Sequence, residues 1–140
     1  MMPLEQPPPR GSETVLLVSS EPGTRKLAAF MLQKQGYMVM EARDSAQAGV
    51  LYAEHYGEID LLLMDVAMPR ANGRDLAMKF CEAKPGLRLL FMSGAESPTT
   101  RGLREQGVAV LEKPFTMHGL AGKVREVLDL PQAAAMGTGD

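Results

Sequence analysis

Cysteine is almost missing from this chain of 140 residues, with Cys81 standing alone, and tryptophan is missing altogether. A single thiol excludes an internal disulfide and suits a reducing compartment, where such a residue is most often a small core group without catalytic work. Aromatic side chains are scarce as well, with 3 tyrosines and 4 phenylalanines against 11 methionines. The core is therefore expected to be filled by aliphatic and thioether groups.

Neither sign of charge dominates: 15 basic and 17 acidic side chains leave a formal net charge of −2. That balance excludes a broad cationic field, so neither nucleic acid nor a membrane surface is an expected partner. Long hydrophobic runs are lacking too. The longest largely apolar stretch, Ile59 to Met64, stops at Asp65 and is far short of the roughly 20 residues of a membrane-spanning helix. The segment Met1 to Gly11 has 4 prolines and no apolar h-region, so it reads as a flexible leader and a cytoplasmic location is expected. GxGxxG, the P-loop lysine motif, zinc-ligand spacing, HExxH and GxSxG are all absent, which removes the usual support for several enzyme classes. The chain is not expected to be an enzyme.

What is present is alternation. The length suits one compact domain. From Thr14 onward, short β-rich runs alternate with stretches of helical length, the pattern of a parallel sheet covered on both faces. The runs are Val15 to Val18, Tyr37 to Glu41, Ile59 to Met64, Leu87 to Met92 and Val108 to Leu111. Helices are predicted over Pro22 to Gln35, from Asp44 or Ser45 through His55, and over Gly73 to Ala83, Ser97 to Gln106 and Thr116 to Leu128. Leu27, Phe30, Met31 and Lys34 fall at helical spacing in the first, Ala46, Val50, Leu51 and Ala53 form a small apolar face in the second, and Leu120, Val124, Val127 and Leu128 face inward in the fifth. Residues 1–13 form the leader, 14–130 the domain, and 131–140 a tail too poor in large apolar groups to pack.

In an open α/β sheet, ligands bind outside the carboxyl ends of the strands. The residues there are Ser19, Ser20 and Glu21, then Asp65, Ser93 and Lys113. A carboxylate, a hydroxyl and an ammonium are the parts of a phosphate site: nucleophile, hydrogen-bond donor and countercharge. Singly, each has a structural reading, as a turn cap, a strand-end hydrogen bond and a solvated charge. Their joint placement at three strand ends favours the site.

The segments DVAMPRANG from Asp65 to Gly73, FMSG around Ser93 and EKPF around Lys113 resemble the receiver domains of response regulators, over Thr14 to about Leu130. From Ser93 to Leu128 the style is most like receivers attached to hybrid histidine kinases. The resemblance implies a flavodoxin-like (βα)5 fold, doubly wound, with a five-stranded parallel sheet in the order 2-1-3-4-5. It implies that Asp65 accepts a phosphoryl group from a histidine kinase or phosphotransfer protein. Ser93 and Lys113 would bind the phosphate, Pro69 and Gly73 would shape the loop after Asp65, and the Lys113-Pro114 bond would be cis.

Two departures stand out. The family has an acidic pair that helps hold Mg²⁺, and this chain has Ser19 and Ser20 there. Serine hydroxyls are neutral and weaker ligands, which leaves Asp65, the backbone carbonyl of Ala67 and Glu21 as a weakened metal set. Metal-free carboxylates at such a site would repel one another, whereas Asp65 and Lys113 can balance each other alone. Three residues before Lys113, where the family often has an aromatic switch residue, the chain has Val110, so coupling from Ser93 would be incomplete.

Two alternatives follow. The first is a degenerate receiver that docks a partner without phosphorylation. The second is a flavodoxin-like cofactor site at Ser19 to Thr24, which Glu21 and Pro22 disfavour by adding a charge and removing an amide donor. A homodimer through the fourth helix, fifth strand and fifth helix would draw on Arg101, Arg104, Lys123 and Arg125.

Overall fold

A computed structural model describes residues 7–68 and 71–130, apart from the side chains of 71 and 72. Five strands build the main sheet: β1 (Thr14–Val18), β2 (Met38–Ala42), β3 (Leu61–Asp65), β4 (Arg88–Ser93) and β5 (Ala109–Glu112). They alternate with α1 (Pro22–Lys34), α2 (Ser45–Glu54), α3 (Gly73–Ala83), α4 (Pro98–Glu105) and α5 (Met117–Leu128). All neighbouring strands are parallel, and the order is 2-1-3-4-5. The flavodoxin-like α/β architecture expected of the sequence is therefore the one observed. A two-residue antiparallel ribbon, Ala67–Met68 against Ala71–Asn72, lies between β3 and α3 and was not predicted.

Strand alternation divides the core into two layers. Leu16, Val18, Leu62, Met64, Leu89 and Phe91 point to one face, where they meet Ala48 and Tyr52 of α2, Ala77 and Phe80 of α3 and Leu103 of α4. Val15, Leu17, Leu61, Leu63, Leu90 and Met92 point to the other, against Ala28, Ala29 and Leu32 of α1 and Leu120, Val124, Val127 and Leu128 of α5. Central strands buried on both sides have no polar face, which is why they read as continuous apolar runs.

Capping fixes where the helices start. Asp44 accepts from the Gln47 amide at 2.8 Å, Ser97 from Thr100 at 3.1 Å, and Thr116 from Gly119 at 3.0 Å. Gly36 and Gly107, at φ 103° and 82°, end the turns after α1 and α4 in a conformation that other residues rarely adopt.

Helix phase is where expectation and structure part. In α1 the sheet is met by Ala28, Ala29 and Leu32, while Leu27 and Phe30 are 47% and 55% exposed. In α2 Ala48 and Tyr52 are buried and Val50 is exposed. Small residues let a helix backbone approach the sheet, and spacing alone does not choose between two apolar stripes. The inward face predicted for α5 is the observed one.

The described part of the leader makes specific contacts. Gln35 Nε2 donates to the carbonyls of Pro8 and Pro9, each at 3.0 Å, and the Gly11 amide donates to the Gln35 carbonyl at 3.0 Å. Residues 1–6, Pro69 and the expected tail 131–140 lie outside the described residues.

Candidate functional site at the carboxyl edge of the sheet

Asp65 and Ser93 are the last residues of β3 and β4, each one place further into its strand than predicted. Ser19 and Lys113 directly follow β1 and β5. Parallel strands ending level with one another bring all four side chains to one edge of the sheet. Asp65, Ala67, Ser93 and Lys113, with Ser20 and Glu21, line a cavity of about 520 Å³ there. Gly73 holds the start of α3 against this edge. A Cβ on Gly73 would lie 2.5 Å from the Asp65 carbonyl oxygen, so no larger residue fits without a shift.

Asp65 is almost fully buried, so its charge requires compensation from within the protein. Ser19, itself wholly buried, donates its hydroxyl to Asp65 Oδ2 at 2.5 Å. On the other side Lys113 Nζ stands 2.7 Å from Oδ1. That contact is off the line of a hydrogen bond, and among the described residues Oδ1 has no directed donor. It is an ion pair whose strength is charge, not direction. The backbone amide of Glu21 donates to Ser19 Oγ at 3.2 Å, and Arg25 Nη1 holds the Ser19 carbonyl at 2.8 Å.

Lys113 also contacts Glu21, with Nζ 2.7 Å from Oε1. Burial by itself lowers the Lys113 pKa, but the close carboxylates of Asp65 and Glu21 outweigh it and hold the ammonium above its usual range. Glu21 is lowered in turn, first by the Lys113 hydrogen bond and its charge and then by Thr24. The Lys113-Pro114 peptide is cis, as the resemblance implied.

Ser93 is buried beside the cavity, but its hydroxyl is directed at the start of α4. It donates to the Ala95 carbonyl at 2.7 Å and lies 3.2 Å from Thr100 Oγ1. Thr100 is buried and also receives the Ser97 hydroxyl at 3.1 Å. This relay of hydroxyls was not anticipated. Its one trace in the sequence is the run from Ser97 to Thr100, two hydroxyl residues spaced for an N-cap.

The residues expected to hold Mg²⁺ do not converge as a cage. Among the described residues no three His, Cys, Asp or Glu side chains come together to hold a metal ion. Of the set Asp65, Ala67 and Glu21, Asp65 presents one oxygen already bonded to Ser19 and one facing an ammonium, and Glu21 is spent on Lys113. This donor set, with neutral serine hydroxyls in place of carboxylates and both Asp65 oxygens already engaged, fits a divalent cation poorly.

At the suggested dimer face the cations are paired within the chain. Arg104 meets Glu96 at 2.6 Å and Glu112 at 3.1 Å, Arg101 meets Glu96 at 3.8 Å, and Lys123 meets Glu126 at 3.2 Å. Arg125 is directed elsewhere, to Glu13 at 2.6 Å and Asp129 at 2.9 Å. Val110 is half-buried against the core layer that includes Leu103 and Phe91. Among the described residues no helix is long and apolar enough to cross a membrane.

Comparison with known proteins agrees with this architecture. The chain is 36% identical over 121 residues to the sensor kinase CckA of Brucella abortus (strain 2308), covering 85% of this chain and 13% of that kinase. It is 30% identical over 118 residues to the response regulator receiver protein CpdR of the same organism, covering 81% of this chain and 95% of that protein. Among solved structures, the receiver domain of the hybrid histidine kinase CckA superposes with a TM-score of 0.70 at 34% identity, over 83% of this chain and 99% of that one. The family model of the response regulator receiver domain matches residues 15–125, and the chain belongs to that family, a signalling module of two-component systems.

Proposed function

We propose that this receiver takes up a phosphoryl group on Asp65 from a phosphohistidine of a histidine kinase or phosphotransfer protein, with weakened binding of Mg²⁺. One observation carries the reading: Asp65 is buried at the carboxyl edge of the sheet with the Lys113 ammonium 2.7 Å away. A carboxylate oxygen bonds to phosphorus as the phosphorus–nitrogen bond of the donor breaks and its electron pair returns to the imidazole. Lys113 offsets part of the about −1.5 to −2 charge that arrives with the group. Ser93 turns its hydroxyl from Ala95 toward a phosphoryl oxygen, which couples the site to the first turn of α4. Similarity to the receiver of a sensor kinase supports a phosphorelay setting.

A second reading, a receiver that docks its partner without phosphorylation, is favoured by the way Ser19 and Lys113 complete the resting carboxylate without a metal. The two readings separate by intact mass after treatment with acetyl phosphate. A gain of one phosphoryl group that vanishes in Asp65→Asn supports the first. No gain in the native chain, with a gain in Ser19→Asp/Ser20→Asp when Mg²⁺ is present, supports the second.

A further inference from the structure

Glu21 is the N-cap residue of α1, yet its side chain caps no backbone amide of that helix. N-cap positions favour short acceptors that satisfy the amides of the first turn. The Glu21 carboxylate reaches across to Lys113 instead, steadied by the Thr24 hydroxyl donating to Oε1 at 3.1 Å. The same ammonium covers Asp65 Oδ1, an oxygen sealed from solvent. Ser19, which holds Oδ2, accepts from the Glu21 amide. Both contacts that close the carboxylate thus lead back to Glu21.

We propose that Glu21 is a positioning residue that caps the resting site: it pins Lys113 over Asp65 Oδ1 and gives up the ammonium when a phosphoryl group arrives. This rests on the reading of Asp65 as phosphoacceptor. In the transfer, an Asp65 oxygen bonds to the phosphorus of a phosphohistidine or acyl phosphate. The bond from phosphorus to the donor atom breaks, and its electron pair leaves with imidazole, which takes a proton from water, or with the carboxylate. Lys113 then faces two bidders, one Glu21 carboxylate and a phosphoryl group of nearly twice its charge. Glu21 is the weaker, since its side chain is 59% exposed and its attraction is screened by water and salt. A lysine suits such an exchange, being a compact charge on a flexible stem with rotatable donors. Before transfer, two carboxylates share one ammonium, so the site carries a net charge of −1 on these three groups, and removing Glu21 relieves repulsion toward an anionic donor.

The test uses the full chain, Glu21→Gln, Asp65→Asn and Ser19→Asp/Ser20→Asp, treated with acetyl phosphate in EDTA or Mg²⁺ and followed by intact mass. Lys113 is read in parallel by its reactivity with an amine-acylating reagent, and circular dichroism verifies that each variant is folded. The expected result is that Glu21→Gln gains phosphate several-fold faster than the native chain in EDTA at low ionic strength. The gap narrows with salt, and Lys113 becomes more reactive. Labelling of Glu21→Gln alone also supports the cap. Equal or slower labelling of Glu21→Gln overturns the cap while leaving Asp65 as acceptor. Failure of both the native chain and Glu21→Gln to label in any condition overturns cap and acceptor together, with Ser19→Asp/Ser20→Asp as the assay control.

Discussion

Two poles of this domain hold a cation between carboxylates, and they do it differently. At the carboxyl edge of the sheet, Lys113 lies 2.7 Å from both Asp65 and Glu21. At the opposite pole, where the chain enters β1 and leaves α5, Arg125 contacts Glu13 at 2.6 Å and Asp129 at 2.9 Å and also donates to the Tyr37 hydroxyl at 3.3 Å. The guanidinium spreads several directed hydrogen bonds over a planar fork, which fixes neighbouring segments in place. The ammonium is a point charge with one contact off the hydrogen-bond line. One pole is built as a clasp and the other as a contact that exchanges partners.

The largest effect expected from breaking this contrast is on the buried side of the exchangeable pole. Ser19→Ala removes the only directed donor to Asp65 Oδ2 among the described residues, and a hydrogen bond to a buried charge is worth about 1.5–3 kcal/mol. Urea unfolding at neutral pH is expected to show a loss in that range. An unchanged midpoint would mean that Lys113 alone compensates the carboxylate.

The clasp should reveal itself through pH. Arg125 donates hydrogen bonds to Glu13 and holds its carboxyl down from 4.5 to about 2, against a smaller opposing effect of burial. A depressed carboxyl stabilises the fold above its unfolded pKa and ceases to do so as pH falls through the folded value. Glu13→Gln is therefore expected to be less stable than the native chain by about 1–2 kcal/mol near neutrality. The difference should shrink between about pH 4.5 and pH 2, the window set by those two values. A gap that stays constant across that window would break the assignment.

The smallest effect is expected from Glu21→Gln. An exposed ion pair contributes little, so thermal stability should stay within about 0.5 kcal/mol of the native chain, even as Lys113 becomes freer. A substantially larger loss would make Glu21 part of a clasp as well, and the two poles would cease to differ.

The strands were legible because a strand buried on both faces is apolar at every position, and Leu61 to Met64 has no other comfortable place. The facing of α1 and α2 was not. Leu27 and Phe30 carry the stronger apolar signal, yet Ala28, Ala29 and Leu32 meet the sheet. Asp65, Ser93 and Lys113 were found from their positions after strands, and they do line one cavity. The partners of Ser19 and Glu21 were out of reach, since their bonds to Asp65 and Lys113 cross 46 and 92 residues of chain.

The amino-acid sequence by itself determined the alternation of strands and helices, and with it a parallel sheet whose carboxyl edge gathers two carboxylates, several hydroxyls and one ammonium. Periodicity and strand-end position are local properties, readable along the chain. Only the tertiary structure decided that the Ser19 hydroxyl donates to Asp65, that Glu21 shares Lys113, and that Arg125 closes the far pole. Each of those depends on which distant groups the packed sheet brings within 3 Å, where a buried charge must find its partner or go without one.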